Sequence, residues 1–233
     1  MFLNAVTLFV LVAAPPAPSP PPAIDVAVRQ LCEAGLANGL CGVWQACGPV
    51  RKGACSSTDH DGKGPTDDWR ERRCAVDVRN GYLTCTENTH VMDGPGQGDV
   101  LTARWDAALF VGKGAVVVGV AERTDRPEAA FFTPQGKTWK PATPLPKLDA
   151  RTFALTEPKR PAVLVNGQNG FHAEFFVELD LPREGTTVSA EGRWVDTFRD
   201  DSGYGQSDTR LTSATLELTW NAATATFVVQ RPH

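Results

Sequence analysis

All six cysteines of the 233-residue chain, Cys32, Cys41, Cys47, Cys55, Cys74 and Cys85, fall in one stretch, and none occurs in the 148 residues after Cys85. Successive cysteines are separated by 8, 5, 7, 18 and 10 residues, so the close cysteine pairs of a structural zinc site are missing. An even count without that spacing reads as three disulfides formed in an oxidising compartment. Short covalent loops therefore constrain the front of the chain. Everything after it must be held by burial and hydrogen bonding alone.

The segment ahead of the cysteines agrees with export. Ala5 to Ala14 is apolar apart from Thr7, about half the length of a membrane span, and reads as the core of a signal peptide over residues 1–14. Pro15, Pro16, Pro18, Pro20, Pro21 and Pro22 follow, and lacking backbone donors they make residues 15–23 an extended spacer. The expected location is secreted or periplasmic. With a net charge of −4 and interspersed acids and bases, the chain has no basic footprint for nucleic acid. No later apolar run approaches the length of a transmembrane helix.

Two structural regions are expected, a disulfide-stapled one over 24–90 and a β domain over 98–233. In the first, Ile24, Ala27, Val28 and Leu31 have helical i, i+3, i+4, i+7 spacing, predicting a short helix that ends near Gly35 or Gly39. Cys74 to Glu87 reads as a hairpin about Asn80-Gly81, the pair most favourable to a two-residue type I′ turn. That turn sets Val76 opposite Cys85 and makes Cys74 and Cys85 diagonal neighbours, roughly 7–8 Å apart, too far for a direct bridge. Each is then expected to pair with an upstream cysteine.

The second region alternates with a period of two. Phe171, Ala173, Phe175, Val177, Leu179 and Leu181 share one face, with His172, Glu174, Glu178 and Asp180 opposite. Thr187–Thr197, Ala214–Trp220 and Ala223–Val229 behave likewise, with a turn near Asn221-Ala222. Val100 to Ala121 supplies two strands interrupted at Gly112-Lys113-Gly114, and Ala115 to Val120 is apolar on both faces, as a central strand would be. Prolines at 127, 134, 141, 144, 146 and 158 mark 122–160 as a long wrapping connection. The fold class is mainly β, an antiparallel sandwich or open barrel of about eight strands preceded by a small disulfide-rich segment with a short helix and a hairpin.

Functional candidates are sparse. Asp59, Asp61, Asp67 and Asp68 lie in a glycine-containing stretch that resembles the calcium loop of EF-hand repeats over about ten residues. Acidic residues fall at positions 1, 3 and 9 and Gly64 at the sharp turn, but Lys63 replaces a ligand and Arg70 stands where a bidentate acid belongs. Calcium is the cation such a set would take. A second loop, with Asp200, Asp201, Ser202, Tyr204 and Asp208, is longer than a hairpin needs and could contact a polar ligand. Trp139 stands without apolar periodicity and could stack on a sugar, although a tryptophan is more often packed away. No nucleophile elbow, zinc-protease helix or phosphate loop appears. His172 with Glu174, or Glu191, Asp196 and Asp200 as paired carboxylates, are the remaining catalytic candidates. The expected function is a secreted or periplasmic non-enzymatic binding or structural module for an extracellular ligand, carbohydrate or protein. The alternatives are an extracellular polymer hydrolase, or an inhibitor presenting residues 56–68.

Overall fold

A computed structural model describes residues 21–48, 53–60, 69–92, 98–124, 127–158, 164–165, 168–169, 171–198 and 209–230. The segment expected to be a signal peptide and most of the expected proline spacer lie outside these residues. Helix α1 (Ile24–Glu33) buries Ile24, Ala27, Val28 and Leu31, the four positions its spacing singled out. Its end is a Schellman cap, in which Gly35 at φ +69° lets the Leu36 amide donate to the Leu31 carbonyl and its own amide to that of Cys32. Helix α2 (Asn38–Cys47) follows, burying Leu40, Cys41, Val43 and Cys47.

Eleven strands form two antiparallel meanders. The first sheet runs β1 (Ala54–His60), β2 (Trp69–Asp77), β3 (Tyr82–Met92), β4 (Gly98–Gly112), β5 (Ala115–Arg123), β6 (Glu128–Gln135) and β7 (Thr138–Ala142), paired in chain order. After a short pair, β8 (Leu164–Val165) and β9 (Gln168–Asn169), the second sheet runs β10 (Phe171–Asp180), β11 (Thr187–Phe198), β12 (Thr209–Asn221) and β13 (Thr226–Gln230).

Alternation assigns the two faces of the first sheet to different partners. Cys74, Leu83, Cys85, Trp105, Ala107, Val118, Val120, Phe132 and Trp139 pack against α1 and α2. Tyr82, Ala108, Phe110, Val117, Ala121 and Phe131 pack against Leu179, Val188, Ala190, Leu218, Trp220 and Phe227 of the second sheet. The molecule is thus three-layered, helices on sheet on sheet, and the all-apolar run of β5 follows from burial on both sides. Phe153, from the connection after β7, lies directly over Gly192, where any Cβ would meet its ring at 2.6 Å. The sheets also interlock at their tips, as the Lys113 amide donates to the Ala222 carbonyl at 2.7 Å and Trp220 Nε1 to the Val111 carbonyl at 3.0 Å.

The structure corrects two expectations. The Asn80-Gly81 hairpin closes at the pair Asp77–Tyr82, leaving a four-residue loop, Val78 to Gly81. The Asp77 carboxylate accepts from the Asn80 amide at 3.2 Å and from Asn80 Nδ2 at 2.9 Å, which favours this wider turn over the two-residue one. The register therefore moves by two residues, faces are preserved, and Cys74 stands directly opposite Cys85. They are bonded to each other, beside Cys32–Cys41 and Cys47–Cys55. Secondly, residues 122–160 contain β6 and β7. Pro141 is tolerated because β7 is an edge strand, and Pro134 because β5 pairs with β6 only as far as Phe132. Strands β3 and β4 pair from Tyr82–Ala108 to Met92–Gly98, so residues on both sides of 90–98 share one sheet.

Candidate ligand-binding face

Where the second sheet stops, the first continues. On the face turned away from the helices, β1, β2 and β3 present rows of cross-strand neighbours, Thr58–Glu71–Asn88, Ser56–Arg73–Thr86 and Ala54–Ala75–Thr84. Ala54, Ser56, Thr58, Arg73 and Ala75 are exposed. A cavity of about 840 Å³ opens over this shelf, lined among others by Ser56, Thr58, Glu71, Arg73, Thr84 and Thr86. Arg73 donates to Glu71 within the shelf, and Thr102 Oγ1 donates to Asn88 Oδ1 at 3.0 Å. At one end Trp69 and His90 stack with centroids 3.5 Å apart and planes 5° from parallel. The shelf therefore offers hydroxyls, one ion-paired guanidinium and an aromatic pair, on strands cross-linked to each other and to α2.

The inner wall of the shelf is a charged network on β4. Thr84 and Thr86 face Asp106 and Arg104 across the β3–β4 ladder. Asp106 is fully buried, accepting from Tyr82 Oη and from Arg104 Nε at 3.1 Å. Arg104 also donates to Tyr82 Oη at 3.0 Å. Burial first, and then the hydrogen bond and charge of Asp106, push the Tyr82 phenol above its ordinary pKa. Arg123 of β5 reaches Asp106 Oδ2 at 3.4 Å and also contacts Asp180, while Glu178 accepts from Arg193 at 3.1 Å. This chain of charges ties the first sheet to β10 and β11 along the line where the apolar interface ends and the polar shelf begins.

The residues singled out from sequence fare differently. Asp59 lies within β1, paired with Arg70 across the ladder, and its carboxylate is 3.8 Å from the Arg72 guanidinium. It is therefore part of an extended strand and faces a cation, which argues against its opening a calcium loop. Asp61, Asp67 and Asp68 lie outside the described residues, as do Asp200, Asp201, Ser202, Tyr204 and Asp208. Trp139 is 7% exposed and its Nε1 donates to Gln30 Oε1 of α1 at 3.0 Å. Its ring packs the helix layer against the sheet and is withdrawn from any surface ligand. His172 and Asp196 sit on β10 and β11 with nothing described of their side chains, and Glu191 pairs across the sheet with Glu178.

Among the described residues, the carboxylates that do converge, Asp106, Glu178 and Asp180, are each held by arginine. The arrangement neutralises charge and joins sheets, and presents no unengaged acid for glycoside chemistry. The shelf was missed because Ser56, Thr58, Arg73, Thr84 and Thr86 look like the polar side of any half-buried strand. Only the extent of the second sheet distinguishes them. The alternation Arg104-x-Asp106, placing charges on the face that continues as Ala108 and Phe110, is the signal that could have been read.

Fold and site together define a helix-backed, disulfide-stapled β-sandwich with an uncovered polar half-face. No family model matches the chain, and no curated protein or solved structure matches it either.

Proposed function

We propose that the protein is an exported, non-enzymatic binding module that takes a carbohydrate on the shelf of β1–β3. The observation carrying this reading is the uncovered face on which the hydroxyls of Ser56, Thr58, Thr84 and Thr86 and the Glu71–Arg73 pair stand beside Ala54 and Ala75. Hydroxyl and guanidinium groups at fixed cross-strand spacing suit the alternating donors and acceptors of a sugar ring, and the Trp69–His90 pair adds an apolar boundary at one end. The Cys74–Cys85 bridge between β2 and β3 and the Cys47–Cys55 bridge from α2 to β1 lower the ordering cost of binding by holding the strands in place beforehand. Those bridges and the apolar leader support export to a secreted or periplasmic location.

Titration with a panel of neutral and acidic oligosaccharides, followed by tryptophan fluorescence and calorimetry, tests this. Arg73→Ala removes an exposed side chain and should weaken binding about tenfold or more while leaving the melting temperature unchanged, the usual loss for a charge-assisted hydrogen bond. Absence of binding across the panel, or equal binding by wild type and Arg73→Ala, would contradict it.

A further inference from the structure

Cys55, Cys74 and Cys85 occupy one row of the first sheet, since Cys55 faces Cys74 across β1–β2 and Cys74 faces Cys85 across β2–β3. Cys74 thus has a cysteine as direct neighbour on each side and is bonded to one of them. Cys47, at the end of α2, holds the other. The sulfurs of Cys47, Cys55 and Cys74 all lie within 4.8 Å of one another, although they belong to two different bridges. Their side chains lie on the helix side of the sheet, opposite the shelf. Exposure decreases along the row, with Cys55 half-buried, Cys74 2% exposed and Cys85 fully buried.

We propose that these cysteines form a thiol–disulfide exchange relay, entered at Cys55 by an external dithiol and ending at Cys85. A thiolate of the dithiol attacks Cys55 Sγ, forming a mixed disulfide and releasing the Cys47 thiolate. The second thiol of the dithiol then closes on the first, which leaves the reductant as an oxidised disulfide and frees the Cys55 thiolate. Two electrons have entered the protein, and Cys47 takes up a proton. The Cys55 thiolate next attacks Cys74 Sγ, so that the Cys55–Cys74 bond forms as the Cys74–Cys85 bond breaks, and Cys85 leaves as a thiolate that is protonated. This second step moves no net electrons. Within the three-sulfur group access selects the entry, because the thiolate of the reductant must reach a sulfur before it can attack and Cys55 is the half-buried member. Proximity makes the transfer fast, since a thiolate held within 4.8 Å of the sulfur it attacks acts at a very high effective concentration. The product joins β1 to β2 in place of α2 to β1, so reduction at the surface is converted into release of the helix from the sheet edge. The Cys32–Cys41 bridge stands outside the three-sulfur group and serves as an internal control.

The test treats native protein with one equivalent of dithiothreitol, traps thiols with N-ethylmaleimide under acid quench, and maps bridges by mass spectrometry. The relay predicts label on Cys47 and Cys85, a Cys55–Cys74 linked peptide, and an unlabelled Cys32–Cys41 pair. Label on Cys47 and Cys55 with Cys74–Cys85 retained would overturn it, and so would first reduction of Cys32–Cys41. Cys47→Ser supplies a second arm that needs no reductant, with circular dichroism confirming the fold. There the lone thiol should be divided between Cys55 and Cys85, whereas label confined to Cys55 would rule the exchange out.

Discussion

Asp106 has no solvent exposure, and its carboxylate is surrounded by Tyr82, Arg104 and Arg123. Removing one partner of such a cluster is costlier than the cluster's own net stabilisation, because the remaining charges stay desolvated. Asp106→Ala should therefore lower unfolding free energy by about 3 kcal/mol in urea titrations. Tyr82→Phe should cost about 1.5 kcal/mol, the scale of a hydrogen bond to a charged group. The same pair sets a pH dependence. The folded-state pKa of Tyr82 is raised, so above the ordinary tyrosine pKa of about 10 the folded state holds a proton that the unfolded state has lost. Stability contributed by the neutral phenol is fully present below that pH and is lost as pH rises towards the folded-state pKa. Urea midpoints measured from pH 9 to pH 11 should fall in the wild type, and the tyrosine-dependent part of that fall should vanish in Tyr82→Phe.

At the scale of elements, the three bridges close short loops, with sequence separations of 9, 8 and 11 residues. Chain-entropy estimates for loops of this size give about 3 kcal/mol each. Replacing both cysteines of Cys32–Cys41 by alanine should lower the unfolding free energy by about that amount in denaturant titrations. The inter-sheet packing makes a separate prediction. Because a Cβ at Gly192 would overlap Phe153, Gly192→Val should cost about 1–3 kcal/mol, the usual range for overpacking. Its effect should be strongly non-additive with Phe153→Ala in a double-mutant cycle.

Elements were readable from sequence where a single periodicity ruled them. Helix α1 followed from four apolar residues at helical spacing, β10 and β11 from alternation, and β5 from its two apolar faces. Helix α2 was hidden, because Gly39 and Gly42 lower its intrinsic propensity and it is held by burying Leu40, Val43 and Cys47 and by bridges at both ends. The β2–β3 turn was misassigned because a side chain, Asp77, outweighed the dipeptide preference of Asn80-Gly81. Such competition depends on three-dimensional placement. It redirected every disulfide inference built on the hairpin, since a two-residue change in register turned a diagonal cysteine pair into an opposed one.

For the whole molecule, the proposed function depends on a mismatch of widths. Seven strands lie against four, and the second sheet covers the apolar part of the first as far as the Asp106 network. The strands of the disulfide-stapled region extend the first sheet and supply the surface left bare. No local pattern could reveal that, because covered and uncovered faces alternate alike along each strand. Among the described residues no helix is long and apolar enough to cross a membrane, and the shelf is a surface that the second sheet leaves uncovered. Chemical-shift mapping of isotope-labelled protein with an oligosaccharide that binds measures most directly whether this shelf is the site. Shifts clustered at Ser56, Thr58, Arg73, Thr84 and Thr86, and absent from α1 and β12, are the predicted result. A cluster on the outer face of the second sheet or on the helices, with the shelf unperturbed, would contradict the account.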